Sequence, residues 1–285
     1  MKRGYLTMAV GRASFLEMAV DMALSLRDQT DLPVAIVTDE TLEPLVAARY
    51  GGVFDAVSLL PRRFRVGRAL KYGVARSTPF EETTFVDADC VVLGSLEHMW
   101  AALVGSDVVL LGEQLTRQDD ENHHGFSTRS LMRRFDLDRY LKTNSGLFCF
   151  RREPAIEIMD EILECYLQEV RPRLKWSILR GAWVGDEIAI GIVGGRRGLG
   201  TLAKPAEMYW PHEFDALDLA RPTKPLLHLV WPPPDAVVEE LMEAMRERRH
   251  RAGVPGDGEE HWRGEVEKLQ SMRRRRRILE RIGWW

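Results

Sequence analysis

Two aspartates one residue apart, Asp87 and Asp89, lie in an otherwise apolar run that extends over Thr83–Leu93. An extended strand places alternate side chains on the same side, so both carboxylates would point the same way. Two ionised carboxylates in an apolar setting require a compensating cation, and their oxygens suit Mg²⁺ or Mn²⁺. The spacing therefore predicts a strand that carries a divalent-metal site. The alternative is a solvated turn, in which the Asp-x-Asp pattern is common.

Length and composition indicate a globular protein. The chain has 285 residues, of which 45% are hydrophobic and 29% charged, and no apolar run approaches the roughly 20 residues that a membrane span needs. The N-terminal residues read directly into a strand, without the apolar segment of a secretory signal. Cys90, Cys149 and Cys165 lack the spacing of a zinc finger and fit reduced core thiols. These features predict a cytoplasmic protein.

The charge is distributed unevenly. Residues 271–285 contain six arginines and one glutamate, a local charge of +5, which leaves −8 for the rest of a chain whose net charge is −3. An acidic body argues against nucleic-acid binding. The tail ends in Trp284-Trp285 and predicts peripheral contact with an anionic membrane, on its inner face. The alternative is a solvated helix whose tryptophans pack on the body.

Strand and helix patterns alternate along the first 235 residues, which predicts an α/β fold with a mixed, mostly parallel sheet flanked by helices. We expect a single domain over residues 1–235 and a charged helical extension over residues 236–285. One long segment, Glu113–Arg129, is polar and aperiodic, and it predicts a loop that closes over a site. The predicted strands are Tyr5–Val10, Pro33–Thr38, Val57–Leu60, Thr83–Leu93, Asp107–Gly112, Asn144–Arg151 and Leu226–Trp231.

The order of the motifs resembles the family 8 glycosyltransferases, which are retaining enzymes of the GT-A fold that use nucleotide sugars. The resemblance extends over residues 5–231. The matching stretches are Ala69-Leu70-Lys71-Tyr72, Phe85-Val86-Asp87-Ala88-Asp89, Thr143-Asn144-Ser145-Gly146-Leu147, Gly185-Asp186-Glu187 and Leu227-His228-Leu229.

The resemblance implies a metal-dependent transfer of a hexose, by default from a UDP-sugar, with retention. It implies that Asp87, Asp89 and His228 bind Mn²⁺ or Mg²⁺, and that the catalytic residues are Asn144, Asp186 and Glu187. The donor would contact Ala9, Val10, Gly11, Lys71, Asp87, Ala88, Asn144, Ser145 and Gly146. A carboxylate nucleophile and front-face attack stay open as routes, and the acceptor would be a glycan, a lipid-linked glycan or a protein.

Each of these residues also has a structural interpretation. His228 fits a core histidine, Lys71 an exposed helix lysine, and Asn144 an ordinary turn before a strand. Asp186-Glu187 fits an acidic pair that a helix N-terminus favours, and this role is compatible with a functional one.

Two departures from the family pattern matter for function. The stretch after the first strand is Ala9-Val10-Gly11-Arg12. It lacks the acidic or asparagine residues that bind the base and ribose of the donor in the family. The Gly-x-x-Lys-Pro-Trp run that usually follows the late histidine is missing after His228, so the lysine that binds the diphosphate has no match and Lys224 or a tail arginine would have to replace it. Two alternatives therefore stay open. One is a GT-A-fold binding or scaffold protein with lapsed catalysis, and the other is a nucleotidyltransferase, although Gly11-Arg12 is short for a phosphate loop.

Overall fold

The computed structural model describes residues 2–67, 69–174, 185–256 and 258–281. The strands are β1 (Arg3–Met8), β2 (Val34–Thr38), β3 (Ala56–Leu59), β4 (Glu82–Val86), β5 (Cys90–Val92), β6 (Val108–Thr116), β7 (Asn122–His123), β8 (Phe126–Ser127), β9 (Arg139–Arg151), β10 (Gly200–Leu202), β11 (Met208–Tyr209) and β12 (Leu226–His228). The α-helices are α1 (Ala13–Arg27), α2 (Glu43–Arg49), α3 (Val74–Ser77), α4 (His98–Ala102), α5 (Thr128–Phe135), α6 (Arg152–Glu164), α7 (Arg171–Leu174), α8 (Asp186–Arg197), α9 (Lys204–Glu207), α10 (Asp235–Ala252) and α11 (Gly258–Arg281).

These elements form a mixed α/β fold with mostly parallel sheet strands and flanking helices, which confirms the predicted fold class. The chain divides into two compact units. Unit one comprises Gly4–Leu59, Phe85–His98 and Pro205–Trp285, and unit two comprises Met1–Arg3, Leu60–Thr84 and Met99–Lys204. Within the described ranges, we find no helix with the length and apolar character that crossing a bilayer requires.

Unit one contains two groups of strands. β1, β2 and β3 pair in parallel and in that order, and every residue of β2 is buried, as its run of apolar β-branched residues dictates. A smaller sheet has the order β11-β12-β5, with β12 parallel to β11 and antiparallel to β5. The hydroxyl of Ser25 on α1 accepts a hydrogen bond from Val92 N at 3.0 Å, and this bond holds β5 against the helix.

Helix α1 is buried on almost all sides, because α10 and α11 pack against it together with β5. Its two carboxylates, Glu17 and Asp21, pair with Arg249 on α10, and Trp262 on α11 donates to Asp21 at 2.8 Å. The predicted boundary between residues 235 and 236 falls at the start of α10. The division into a domain over residues 1–235 and a helical extension over residues 236–285 stays a prediction.

Unit two is built on the strand order β10-β6-β9, with β10 parallel and β9 antiparallel to β6. Helix α8 packs closely on β9 because glycines line its contact face. A Cβ on Gly191 would lie 2.5 Å from Cζ of Tyr140, and one on Gly195 would clash with Arg139 O. This close packing places the N-terminus of α8 beside the middle of β9.

Two predicted elements are wrong in detail. Thr83–Leu93 is not one strand, since β4 ends at Val86 and β5 begins at Cys90 in a different sheet. The segment Glu113–Arg129 is not a loop without structure, because it contains the end of β6, the hairpin β7–β8 and the start of α5. The single-strand prediction failed because the apolar run continues on both sides of a turn.

Candidate active site

Asp87 and Asp89 lie in the turn between β4 and β5. Cys90 N donates to Asp87 O at 3.1 Å, which closes a four-residue turn, and Ala88 is a buried residue at its centre. The turn projects two carboxylates at the point where the chain passes from one sheet to the next. A turn therefore positions the two carboxylates, and not the strand alternation that the sequence predicted.

The sequence-distant His228 reaches this turn because β12 pairs with β5. Cys90 is its partner in the antiparallel register, and Leu229 N donates to Asp89 O at 2.9 Å. His228 Nε2 lies 3.2 Å from Asp89 Oδ1 and 3.9 Å from Asp87 Oδ2. The His228 side chain is 5% exposed, whereas that of Asp89 is 35% exposed.

This donor set fits a divalent cation. Two carboxylates and an imidazole nitrogen are ligands that Mn²⁺ accepts, and the Asp89 carboxylate is partly exposed. The sequence did not predict that Cys90 would join this cluster. In the structure, a ligand atom of Cys90 lies within 4.8 Å of those of Asp89 and His228. Cys90 and His228 are opposed in the register of β5 and β12, which explains this arrangement.

The predicted base-binding stretch Ala9-Val10-Gly11 follows β1. Ala9 N donates to Val37 O at 2.9 Å, and Gly11, with a left-handed φ of 81°, donates to Asp39 Oδ2 at 2.6 Å. The other Asp39 oxygen accepts from backbone N–H groups at the start of α2. Asp39 therefore fixes the shape of this stretch, a role that sequence analysis missed because it comes from the neighbouring strand.

Lys224, one suggested replacement for the missing diphosphate lysine, is paired with an acidic residue in the structure. Its Nζ bonds to both carboxylate oxygens of Glu213, at 2.5 and 2.7 Å. It also precedes His228 by four residues, which corresponds to roughly 13 Å of extended chain. The tail arginines offered as the other replacement have side chains outside the described residues, apart from Arg274, which is exposed.

In unit two, the predicted residues Lys71, Ser145 and Asp186 form one hydrogen-bonded chain. Lys71 Nζ donates to Ser145 Oγ at 2.9 Å, and Ser145 Oγ donates to Asp186 Oδ2 at 3.0 Å. Lys71 Nζ lies 3.7 Å from that same carboxylate oxygen. Asp186 is the first residue of α8, and Tyr72 donates to its carbonyl at 2.8 Å. The structure thus brings three distant motifs together.

Asn144 and Gly146 occupy an irregularity in the β6–β9 pairing. Leu110 pairs with Phe148 but Leu111 pairs with Asn144, so three residues of β9 have no register partner on β6. Within this bulge, Asn144 Oδ1 accepts from Gly146 N at 2.9 Å. Bulges of this kind redirect side chains and are frequent near active sites. Both predicted interpretations of Asn144, the turn and the site residue, are compatible with this geometry.

Glu187 differs from Asp186 because both of its oxygens are engaged inside the protein. Oε1 accepts from Ser145 N at 2.7 Å, and Oε2 lies 2.5 Å from His124 Nε2 and 3.5 Å from His123 Nε2. Burial alone would raise the pKa of Glu187, but hydrogen bonds from the two histidines outweigh it and hold this pKa well below its usual range. Glu187 is therefore a buried, ionised carboxylate that links Ser145 on β9 to the two histidines.

His123 and His124 are the residues of this cluster that sequence analysis did not assign. They lie in the segment predicted as a loop, at the tip of the β7–β8 hairpin, and His123 is buried. The available signal was the His-His-Gly run, because glycine after a polar residue is typical of a tight hairpin turn. That this segment moves when a donor binds stays a prediction.

The mixed, mostly parallel sheet with flanking helices matches the GT-A-type fold of solved glycosyltransferases. No protein-family model matches the sequence, and no curated protein matches it either. Solved structures do match.

They include the following three glycosyltransferases. The structure of the galactosyltransferase LgtC, in complex with donor and acceptor sugar analogues, has 15% identity and a TM-score of 0.54, with 92% of this chain and 99% of that one covered. The bifunctional glycosyltransferase WbbM has 12% identity and a TM-score of 0.56, with 94% and 51% covered. GlyE of Streptococcus pneumoniae TIGR4 has 12% identity and a TM-score of 0.52, with 80% and 55% covered. This chain spans about half the length of the last two.

Proposed function

We propose that this protein is a metal-dependent glycosyltransferase that moves a hexose from a nucleotide sugar, by default a UDP-sugar, to an acceptor with retention of anomeric configuration. The observation that carries the proposal is the convergence of Asp87, Asp89 and His228 on one point. The likeness of the fold to solved glycosyltransferases supports it.

The metal centre would stabilise the diphosphate leaving group. A nucleotide diphosphate leaves with negative charge, and Mn²⁺ or Mg²⁺ held by the two aspartates and His228 supplies compensating charge when bound. His228 is held in place by the β5–β12 pairing, so it needs little rearrangement to act as a ligand. Asp89, the more exposed carboxylate, would face the incoming phosphates.

The cluster in unit two would contact the donor sugar. Because both Glu187 oxygens are engaged, we assign Asp186 as the carboxylate that faces the reacting carbon, with Lys71 and Ser145 orienting it. Glu187 would act as a positioning residue through Ser145 N. Retention requires one of two routes. In the first, a carboxylate such as Asp186 displaces the diphosphate and the acceptor oxygen then displaces the carboxylate; in the second, the acceptor attacks on the face that the diphosphate leaves.

A second candidate function is donor binding without turnover. The sequence lacks the lysine that binds the diphosphate in the family pattern. The side chain of Lys224 hydrogen-bonds to Glu213. The nucleotidyltransferase alternative has less support, because the Gly11 amide donates to Asp39 and is not presented to a phosphate in this structure.

The test is calorimetric titration of the protein with a panel of UDP- and GDP-sugars, with and without Mn²⁺, followed by assay of donor hydrolysis and transfer. Metal-dependent binding should be lost in Asp89→Asn. The matched control is Asp138→Asn, whose carboxylate is 95% exposed and should be dispensable. Asp186→Asn should retain donor binding but lose turnover by several orders of magnitude, since it would remove the group that faces the reacting carbon.

The outcomes separate the candidate functions. Binding with turnover supports the transferase, and the anomeric configuration of the product tests retention. Binding without turnover in the unaltered protein favours the lapsed enzyme. If no nucleotide sugar binds in the presence of Mn²⁺, or if Asp89→Asn binds as tightly as Asp138→Asn, the proposed site is wrong.

A further inference from the structure

The hairpin tip in unit two brings two consecutive histidines onto the same side of the chain. Successive residues of an extended strand point to opposite faces. Here His124 has a left-handed φ of 55° and the following Gly125 has a φ of 87°, so the backbone reverses between them. The reversal places the imidazole rings of His123 and His124 with their centroids 4.5 Å apart. A left-handed backbone is uncommon for a residue other than glycine.

Glu187 completes the cluster from a different element. It lies in the first turn of α8, 64 residues after His123, and its Oε2 faces Nε2 of both histidines, at 2.5 Å for His124 and 3.5 Å for His123. One ligand atom from each of the three residues lies within 4.8 Å of the other two. This is the size of a site that one metal ion fills.

A second layer of contacts orients these groups. His123 Nδ1 lies 2.7 Å from the Tyr140 hydroxyl, and Glu187 Oε1 accepts from Ser145 N at 2.7 Å. His123 Nε2 also lies 3.2 Å from Thr143 O, and a metal at this nitrogen would replace that contact. Histidines that ligate metals usually hydrogen-bond through their second nitrogen, which fixes the ring and leaves the first nitrogen for the metal. His123 and Glu187 are buried, whereas the His124 side chain is 29% exposed and gives the cluster access to solvent.

We propose that Nε2 of His123, Nε2 of His124 and Oε2 of Glu187 form a binding site for a transition-metal ion of the Zn²⁺ type. Two imidazoles with one carboxylate suit zinc or cobalt better than magnesium or calcium, and three protein ligands leave a fourth position for water or another oxygen ligand. The site uses none of Asp87, Asp89 and His228, and the inference does not depend on the proposed glycosyl transfer.

The distances are compatible with such an ion after a small adjustment. Tetrahedral zinc ligands at about 2.0 Å from the metal are about 3.3 Å apart. The separation of His123 and Glu187, 3.5 Å, already fits this value. The separation of His124 and Glu187 is 2.5 Å and would have to open by about 0.8 Å, which the exposed hairpin tip permits. The metal would then tie the hairpin to α8.

Cobalt is a suitable probe, because Co²⁺ in a tetrahedral histidine site absorbs visible light. The experiment uses the full, untagged chain with Asp89→Asn, which disables the other candidate metal site, and titrates Co²⁺ and then Zn²⁺ as competitor. We expect saturable cobalt absorption from a single site that Zn²⁺ abolishes. Adding His124→Asn should weaken binding at least about tenfold. His212→Asn, at an exposed histidine outside the cluster, is the matched control.

His124 is at the hairpin tip, so its substitution should leave the circular dichroism spectrum unchanged, and a folded variant then makes the comparison valid. The inference is overturned if the Asp89→Asn protein shows no saturable cobalt absorption. It is equally overturned if His124→Asn and His212→Asn bind Co²⁺ with the same affinity.

Discussion

Replacing Arg249 by methionine tests whether the C-terminal helices are part of the fold of unit one. The Arg249 side chain is 3% exposed, and the Glu17 and Asp21 side chains that it pairs with are 4% and 0% exposed. Its Nε and Nη2 bond to the two Asp21 oxygens at 2.6 and 3.0 Å, and Nη1 bonds to Glu17 Oε2 at 2.9 Å. Methionine preserves the apolar stem but leaves two buried carboxylates without their cation.

The expected loss of unfolding free energy is about 3–5 kcal/mol, the cost of removing one partner from a buried ion pair. The matched control is Arg251→Met on the same helix, because the Arg251 side chain is 61% exposed and pairs with Asp28 at the surface. An exposed pair of this kind contributes at most about 1 kcal/mol. Urea unfolding followed by circular dichroism would measure both values.

The loss should also depend on pH in a predictable direction. Burial raises the pKa of Asp21, while the hydrogen bond and charge of Arg249 oppose that rise. Removing Arg249 raises this pKa further, and an acid with a raised pKa in the folded state loses its stabilising contribution as pH rises through that value. The deficit of Arg249→Met should therefore be smaller near pH 4 than at pH 8. Equal losses in the two variants, or a deficit that shrinks as pH rises, would refute the reasoning.

Two further predictions concern other surfaces. The hydrogen bond to Glu207 raises the pKa of His98 above its ordinary value, although partial burial opposes it. The stabilising contribution of the His98–Glu207 pair should be complete below pH 6.5 and disappear as pH rises through the raised pKa. The unfolding free energies of the unaltered protein and of His98→Gln, measured in urea, should therefore converge at high pH. His212→Gln is the control, and a difference that stays constant with pH would contradict the ion pair. The tail over residues 271–285 should bind the protein to anionic liposomes in a flotation assay. The last four residues of this tail lie outside the described ranges. Truncation after Gln270 should abolish flotation, and equal flotation of both proteins would exclude the tail as an anchor.

The sequence alone determined the local features of this protein. The period of the apolar residues predicts β2 and the α/β class, because periodicity follows directly from backbone geometry. The spacing of Asp87 and Asp89 predicts a carboxylate pair, and the order of the motifs predicts His228 as a partner. Each inference uses residues that are close in the chain or motifs whose order is informative.

Tertiary structure decided where these groups meet. The pairing of β12 with β5 sets His228 opposite Cys90, and such a register depends on contacts between segments more than 130 residues apart. Likewise, α1 is buried on nearly all sides only because α10 and α11 cover it, so its carboxylates could not be recognised as core residues from their own segment.

The His123–His124–Glu187 cluster shows the same limit most clearly. The sequence of the hairpin indicates a turn, but the left-handed backbone at His124 and the packing of α8 on β9 decide that both imidazoles face Glu187. Side-chain direction at a turn depends on backbone angles that composition does not specify. The approach of α8 depends on its glycines meeting β9 in space. Local sequence therefore supplied the chemical groups, and long-range packing determined which of them act together.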